Sequence, residues 1–208
     1  MTAGGERKTA VLAGRIGVTL LCLYLLGVTL RIGGCYGPEL AVRDERPDAG
    51  PAVGAEFPAF SLPDASGVAI GREQLAGAVA LIVVAPSLDW SPATKARLLD
   101  LAEIVRERSD VRVAVIVPAA QATPRSLAFV RDHLLPFFVL IDDAGLIDRL
   151  GLVAPAPDGT AAALPAAFVL GPDGRVRARD VRRSARLWAD PSALLAAAAA
   201  TTGAAAAP

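Results

Sequence analysis

The sequence predicts an α/β fold in which helices flank a mixed central β-sheet. Three observations predict it. Apolar runs of strand length alternate with helix-like segments, a tight turn late in the chain joins two strands directly, and one more helix follows. Alternation with helices gives parallel strand pairs, whereas a tight turn gives an antiparallel pair, so we expect a sheet that contains both kinds.

Each strand has a local signal in apolar content and flanking turn residues. The continuous run AVALIVV at Ala78–Val84 is typical of a strand that is covered on both faces. Pro172–Gly174 predicts the tight turn. The predicted strands are Glu56–Leu62, Ala78–Val84, Val111–Val117, Phe137–Ile141, Ala166–Leu170 and Arg175–Val181.

The predicted helices begin at capping residues followed by proline. In the first, Leu98, Leu101 and Val105 share one face, so the helix should be half-buried. The predicted helices are Ser91 to Arg108, Thr123 to Leu134, a short turn at Ile147–Leu150, and a last helix from Asp190–Ser192 into the alanine tract.

Composition excludes several classes of protein. The chain has 208 residues, of which 53% are hydrophobic, so it can bury a core. Its 21 basic and 21 acidic residues give zero net charge, and no phosphate-binding glycine motif follows a strand, so we expect neither nucleic acid nor nucleotide as a partner. The only cysteines are Cys22 and Cys35 and the only histidine is His133, so we expect no metal or cofactor.

The N-terminal segment has the pattern of a membrane anchor. Ile16–Leu30 carries no charge, and Val11–Leu30 reaches the roughly 20 residues that a spanning helix needs. Basic residues precede this segment and acidic residues follow it, which places the N-terminus in the cytoplasm. We therefore expect a single-pass protein of the cytoplasmic membrane whose remaining residues lie on the extracytoplasmic, periplasmic side.

Two alternatives to an uncleaved anchor stay open. Ile32–Cys35 resembles the lipobox of bacterial lipoproteins, which would make Cys35 a lipidation site, although Arg31 interrupts the apolar run. A cleaved secretory signal is the other alternative. We divide the chain into the anchor or signal at 1–35, a flexible linker rich in proline, glycine and charge at 36–52, a domain at 53–200 and an alanine-rich tail at 201–208.

Two segments of the domain resemble a known superfamily. Val53–Asp64, followed by Gly67, Leu75 and Gly77, resembles the opening of the thioredoxin-like redoxins. Leu164–Val176 is similar to their cis-proline strand and Asp-Gly hairpin. The resemblance is to the branch that holds TlpA-like, AhpC/TSA and methylamine dehydrogenase accessory proteins. It implies a thioredoxin-like fold, a cis bond before Pro165 and a groove that binds peptides.

The active-site position departs from that superfamily. Trp90–Thr94 reads W-S-P-A-T where the resemblance implies W-C-P-x-C, so Ser91 and Thr94 occupy the cysteine positions. A peroxiredoxin alignment puts Ala93 in the peroxidatic position instead. Neither alignment supplies sulfur, and we interpret Ser91 as a helix cap and Thr94 as a first-turn residue. The expected binding groove consists of Trp90, Ser91, Pro92, Leu164 and Pro165.

Two further features lie outside the motif. The loop at 154–163 is longer than the superfamily pattern and should lie near the active-site position, as a lid, a partner surface or a tolerated insertion. Arg175, Arg177 and Arg179 alternate along a predicted edge strand, either solvated or docking an acidic partner or lipid headgroups. His133 should interact with a helix C-terminus.

Two hypotheses about function follow. The first is a redox-inactive binding or accessory factor in the maturation of an exported or redox protein, because the thiolate that exchange chemistry needs is missing. The alternative is a thiol–disulfide oxidoreductase or a peroxiredoxin-like antioxidant enzyme, as the resemblance implies. Such an enzyme would use a partner's thiols or Cys35 on the linker.

Overall fold

The computed structural model describes residues 45–46, 48–88, 92–155, 160–183 and 191–205, without the side chains of 92–93 and 200–205. Five earlier residues are also described as helical and exposed: Thr19, Leu21, Cys22, Tyr24 and Leu25. The chain divides into two compact units, residues 1–43 and 44–208. In the part that the structure describes, no helix is both long and apolar enough to cross a membrane. Most of the predicted anchor, including Cys35, lies outside the described residues.

The second unit contains nine described strands and four α-helices. The strands are β1 Ser61–Pro63, β2 Ala69–Gly71, β3 Val79–Val84, β4 Val111–Pro118, β5 Phe138–Asp142, β6 Val153–Pro155, β7 Ala161–Ala163, β8 Ala166–Leu170 and β9 Val176–Val181. The helices are α1 Pro92–Glu107, α2 Pro124–Asp132, α3 Leu146–Arg149 and α4 Pro191–Ala205.

The central sheet has five strands in the order β5-β4-β3-β8-β9. Strand β3 pairs in parallel with β4, and β4 pairs in parallel with β5. Strand β8 runs antiparallel to both β3 and β9. The prediction of a mixed sheet flanked by helices is therefore confirmed, and the six predicted strands all coincide with or overlap described ones.

The continuous apolar strands arise because both faces of the sheet are buried. On one face Ile82 and Val84 pack against the β1–β2 region and α3, while on the other Leu81 and Val83 pack against α1, α2 and α4. All four side chains are buried. Burial on two faces leaves no position for polar residues, which explains why β3 shows no alternation.

The predicted linker is wrong where the structure describes it. The residues from Glu45 to Phe57, with Pro47 outside the described part, form what we call the edge segment, which pairs with β9. The Arg46 amide donates to the Val181 carbonyl at 2.9 Å, and the Gly54 amide donates to the Val176 carbonyl at 2.8 Å. From the sequence alone this segment resembles a flexible tether, because the residues with which it pairs lie more than a hundred positions later in the chain.

The predicted cis bond before Pro165 is also wrong, because no cis peptide occurs in the described residues. The chain is held in extended conformation on both sides of this bond. The Leu164 amide donates to the Leu152 carbonyl at 2.8 Å, and the Arg182 amide donates to the Pro165 carbonyl at 2.9 Å. Trans is the lower-energy isomer even before proline, and this pairing accommodates it.

Candidate functional site

The carboxyl ends of the three parallel strands β3, β4 and β5 meet at one edge of the sheet. Ligand sites of open α/β sheets lie outside such an edge. The W-S-P-A-T motif comes after β3 in the sequence. Trp90 and Ser91 lie outside the described residues, and Pro92 and Ala93 form the start of the α1 backbone.

Thr94 lies in the first turn of α1, as predicted for the second cysteine position. Its side chain is only 3% exposed. A hydroxyl closed off from solvent cannot meet a dissolved substrate, and a threonine in a first helical turn commonly bonds to nearby backbone. Thr94 therefore contributes to packing at the start of α1.

Leu164 and Pro165 reach the same edge from another element. They directly precede β8, whose first residue Ala166 pairs with Val84 at the end of β3. Both side chains are buried. The structure thus brings these two predicted groove residues beside the strand that leads into α1, without the cis bond that the resemblance implied.

A cleft of about 350 Å³ opens at this edge. It lies between the residues that follow β3, β4 and β5 and the hairpin formed by β6 and β7. Sequence analysis missed it because these residues are far apart in the chain. The cleft is lined by Pro86, Pro118, Ala120, Gln121, Asp142, Gly145, Ile147, Asp148, Val153, Thr160 and Ala161–Ala163.

Asp142 lines this cleft and caps the helix α3 beside it. Its carboxylate is buried at the end of β5, and its two oxygens accept hydrogen bonds from the backbone amides of Leu146 at 2.7 Å and Ile147 at 2.8 Å. These amides begin α3 and have no partner within that helix. An acidic residue directly after a predicted strand was the available sequence signal for this cap.

The predicted loop at 154–163 is a β-hairpin where the structure describes it, with residues 156–159 outside the described part. Val153 pairs with Ala163, and Pro155 pairs with Ala161. Alanine gives no strand signal on its own, so the sequence indicated only a loop. The expected place near the active-site edge is confirmed by the cleft that the hairpin lines.

Two arginines hold the edge segment: Arg179, which is half-buried within β9, and Arg175, which directly precedes the strand and is exposed. The Arg179 guanidinium donates to four carbonyls, those of Gly50 at 3.3 Å, Pro51 at 3.2 Å, Arg46 at 3.0 Å and also Ala49. Burial lowers the pKa of Arg179 from its usual value. Arg175 donates to the Gly54 carbonyl at 2.9 Å.

Arg177 bonds to Asp173 at 2.7 Å. The expectation of a solvated row is therefore wrong for Arg179, which is half-buried against the edge segment, but Arg175 is exposed as expected. Docking of an acidic partner or of lipid headgroups stays a prediction.

His133 lies at the end of α2, where its Nδ1 is 2.9 Å from the Phe129 carbonyl oxygen. Its ring also packs on the Phe129 ring, with centroids 4.3 Å apart. The predicted interaction with a helix C-terminus is confirmed. Within the described ranges, no three metal-ligating side chains come together.

Comparisons with known proteins place the fold. The model of the AhpC/TSA family matches residues 53–179. No curated protein sequence matches the chain significantly. The structure resembles a thiol peroxidase from Chromobacterium violaceum, with a TM-score of 0.63 and 18% identity over 76% of this chain and 90% of that one.

Two other solved structures extend the range of similarity. A peroxiredoxin-like protein from Aquifex aeolicus has a TM-score of 0.63 and 15% identity over 73% of this chain and 88% of its own. A putative thiol:disulfide interchange protein DsbE from Chlorobium tepidum has a TM-score of 0.53 and 20% identity over 70% of this chain and 97% of its own. At these identities the similarity shows the thioredoxin-like fold.

Proposed function

The chain belongs to the AhpC/TSA family, and from that premise we propose that it is a membrane-anchored, extracytoplasmic binding protein without redox turnover. Its role would be accessory, in the maturation of an exported or redox protein. The observation that carries the proposal is the composition of the site. Ser91, Ala93 and Thr94 stand at the positions that would hold cysteine, and no cysteine occurs from residue 36 to the end.

The missing sulfur matters because of the reaction mechanism. Thiol–disulfide exchange begins with attack by a thiolate, and a cysteine pKa of about 8.5 can be lowered to neutrality by a helix N-terminus. A helix terminus contributes only about 1 kcal/mol, which is far too little to ionise a serine hydroxyl. The 3% exposure of Thr94 supports the same conclusion for the second position.

The protein can still bind a partner because the edge of the sheet has a concave surface. The cleft between β4, β5 and the β6–β7 hairpin has a volume of about 350 Å³, which lies in the range of ligand sites. Leu164 and Pro165 lie at the same edge, but their side chains are buried, so the accessible surface at this edge is the cleft. These features support a site that recognises a partner without reacting with it.

The proposed membrane anchor is supported by the N-terminal segment. Ile16–Leu30 is uncharged. Leu21, Tyr24 and Leu25 are helical, and between 54% and 68% of each side chain is exposed. Exposed apolar side chains on a helix suit contact with lipid. The balance of charge around the segment supports an extracytoplasmic domain.

The test of redox inactivity is a turnover assay on the full chain in detergent micelles. We expect peroxide consumption and insulin reduction, each with dithiothreitol as the reductant, to match a control without protein. A rate well above that control would overturn the proposal. If that rate disappeared in the Cys35→Ser variant but not in Cys22→Ser, the alternative of an enzyme using Cys35 would replace it.

A further inference from the structure

The cleft at the carboxyl edge of the sheet has a lining that specifies the chemistry of its ligand. We propose that it binds the side chain of an arginine or lysine in an extended segment of a protein partner. The inference rests on the proposed binding function and states what the partner must present. Three properties of the cleft carry it: its charge, its apolar walls and the free hairpin edge beside it.

The charged side chains that line the cleft are both acidic. They are Asp142 and Asp148, and its described lining holds no lysine, arginine or histidine. Asp142 already accepts two backbone hydrogen bonds. The Asp148 side chain is exposed and forms no hydrogen bond or ion pair with the described part of the chain. An anionic ligand would be repelled here, whereas a cation gains a carboxylate partner.

The remaining walls favour an aliphatic stem behind that cation. Pro86, Pro118, Val153 and three consecutive alanines are small apolar groups, and no aromatic ring lines the described cleft. Arginine and lysine bury their methylene stems along apolar surface while the charged head reaches a polar group. A flat aromatic cation would find no ring to stack on.

The hairpin indicates why the cation should belong to a protein. Strands β6 and β7 pair with each other in a separate two-stranded sheet, so each has an edge with no further strand in the described residues. An extended segment can add to such an edge through main-chain hydrogen bonds, which directs alternate side chains toward one face. A free aliphatic amine would lack these main-chain hydrogen bonds.

The test measures peptide binding to the full chain in detergent micelles by NMR. The probe is a blocked pentapeptide of alanine with one central arginine, compared with the same peptide carrying norleucine and with blocked arginine alone. We expect the arginine peptide to shift the amide signals of residues 145–148 and 161–163 saturably. The norleucine peptide should bind about two- to fivefold more weakly, as the loss of one exposed charge pair implies.

Two matched variants test whether Asp148 is the carboxylate that binds the cation. Asp148→Asn should weaken binding of the arginine peptide about two- to fivefold. Asp143→Asn, an exposed neighbour outside the cleft, should leave binding unchanged. Thermal unfolding of each variant verifies that the fold is intact.

Equal binding of the arginine and norleucine peptides, no effect of Asp148→Asn, or no saturable shift would overturn the inference. Blocked arginine binding as tightly as the peptide would also overturn it, in favour of a small-molecule cation.

Failure of this inference is distinguishable from failure of the proposed function. The proposed function fails if the full chain turns over peroxide or disulfides. The inference alone fails if turnover is absent and a partner crosslinks at this edge, while the arginine peptide does not bind.

Discussion

At the scale of single residues, Gly50 is the point where the edge segment meets the core. Its φ of +76° lies in the left-handed region, and a Cβ there would come within 2.9 Å of the Phe168 ring. Phe168 is fully buried and packs edge-on against Phe57, with ring centroids 5.6 Å apart. Glycine is therefore required at this position both by the backbone and by the contact.

Gly50→Ala should destabilise the protein by about 2 to 4 kcal/mol, from backbone strain and overpacking together. Gly54→Ala is the matched control, because Gly54 has a φ of +86° but nothing within 4 Å of its added Cβ. That variant should lose only about 1 kcal/mol. Urea unfolding measures both free energies, and equal losses would contradict the assigned contact with Phe168.

Asp64 organises the turn between β1 and β2. Its Oδ1 accepts hydrogen bonds from the Ser66 amide at 2.8 Å, the Ser66 hydroxyl at 2.6 Å and the Val68 amide at 2.9 Å. Burial acts to raise the pKa of Asp64, but these bonds together outweigh it and lower the pKa. The ionised carboxylate is therefore favoured in the folded state.

A lowered folded pKa gives a stabilisation that is present above the unfolded pKa of about 3.9 and lost as pH falls through the folded value. Asp64→Asn keeps an acceptor oxygen but removes the charge. The wild-type protein should exceed this variant in free energy of unfolding at pH 7, and the difference should shrink at pH 3. Urea unfolding at both pH values is the measurement, and a difference independent of pH would contradict the assignment.

At the scale of elements, the edge segment covers β9, the outer strand of the central sheet. Exposed outer strands invite pairing with other chains, and covering them prevents it. The cover is held by main-chain pairing and by the Arg179 guanidinium, which donates to four carbonyls of the segment. Removing that guanidinium should loosen the whole element.

Arg179→Ala should lower the free energy of unfolding by about 1.5 to 3 kcal/mol, because charged hydrogen bonds to half-buried carbonyls are lost. Thermolysin should also cleave within residues 45–57 faster than in the wild type. Arg131→Ala is the control, since the Arg131 side chain is 75% exposed and, among the described residues, its ion pair is with its neighbour Asp132. It should change stability by less than about 0.5 kcal/mol. Unchanged cleavage in Arg179→Ala would show that main-chain pairing alone holds the segment.

The elements that could be predicted from sequence are those with local signals. Strand β3 is continuously apolar, and α2 begins with Thr123 capping the Ser126 amide at 3.2 Å. The hairpin β6–β7 could not be predicted, because alanine has no pattern and its pairing depends on tertiary context. The edge segment was missed for the same physical reason, since its stability comes from contacts with β9.

The candidate site was predictable in part. The motif placed α1 correctly after β3, and the resemblance placed Leu164 and Pro165 at the same edge. Family similarity also predicted a cis bond before Pro165, and the described backbone has no such bond. The cleft depends on side chains from five separate parts of the chain, so no local pattern could reveal it.

At the scale of the whole molecule, the protein has a thioredoxin-like fold of the AhpC/TSA family, and its sequence has no cysteine from residue 36 onward. Fold and chemistry are separable, because the sheet and helices position the site while a few side chains determine the reaction. We therefore propose that the carboxyl edge of the sheet binds a partner protein.

The most direct test of this claim is photo-crosslinking in intact membranes, with the reactive residue placed at Ser91. The control position is Asp110, an exposed residue just before β4 and thus at the opposite end of the parallel strands. We expect a discrete protein adduct from Ser91 and none from Asp110. No adduct from Ser91 in a folded, abundant protein, or the same adduct from both positions, would contradict it.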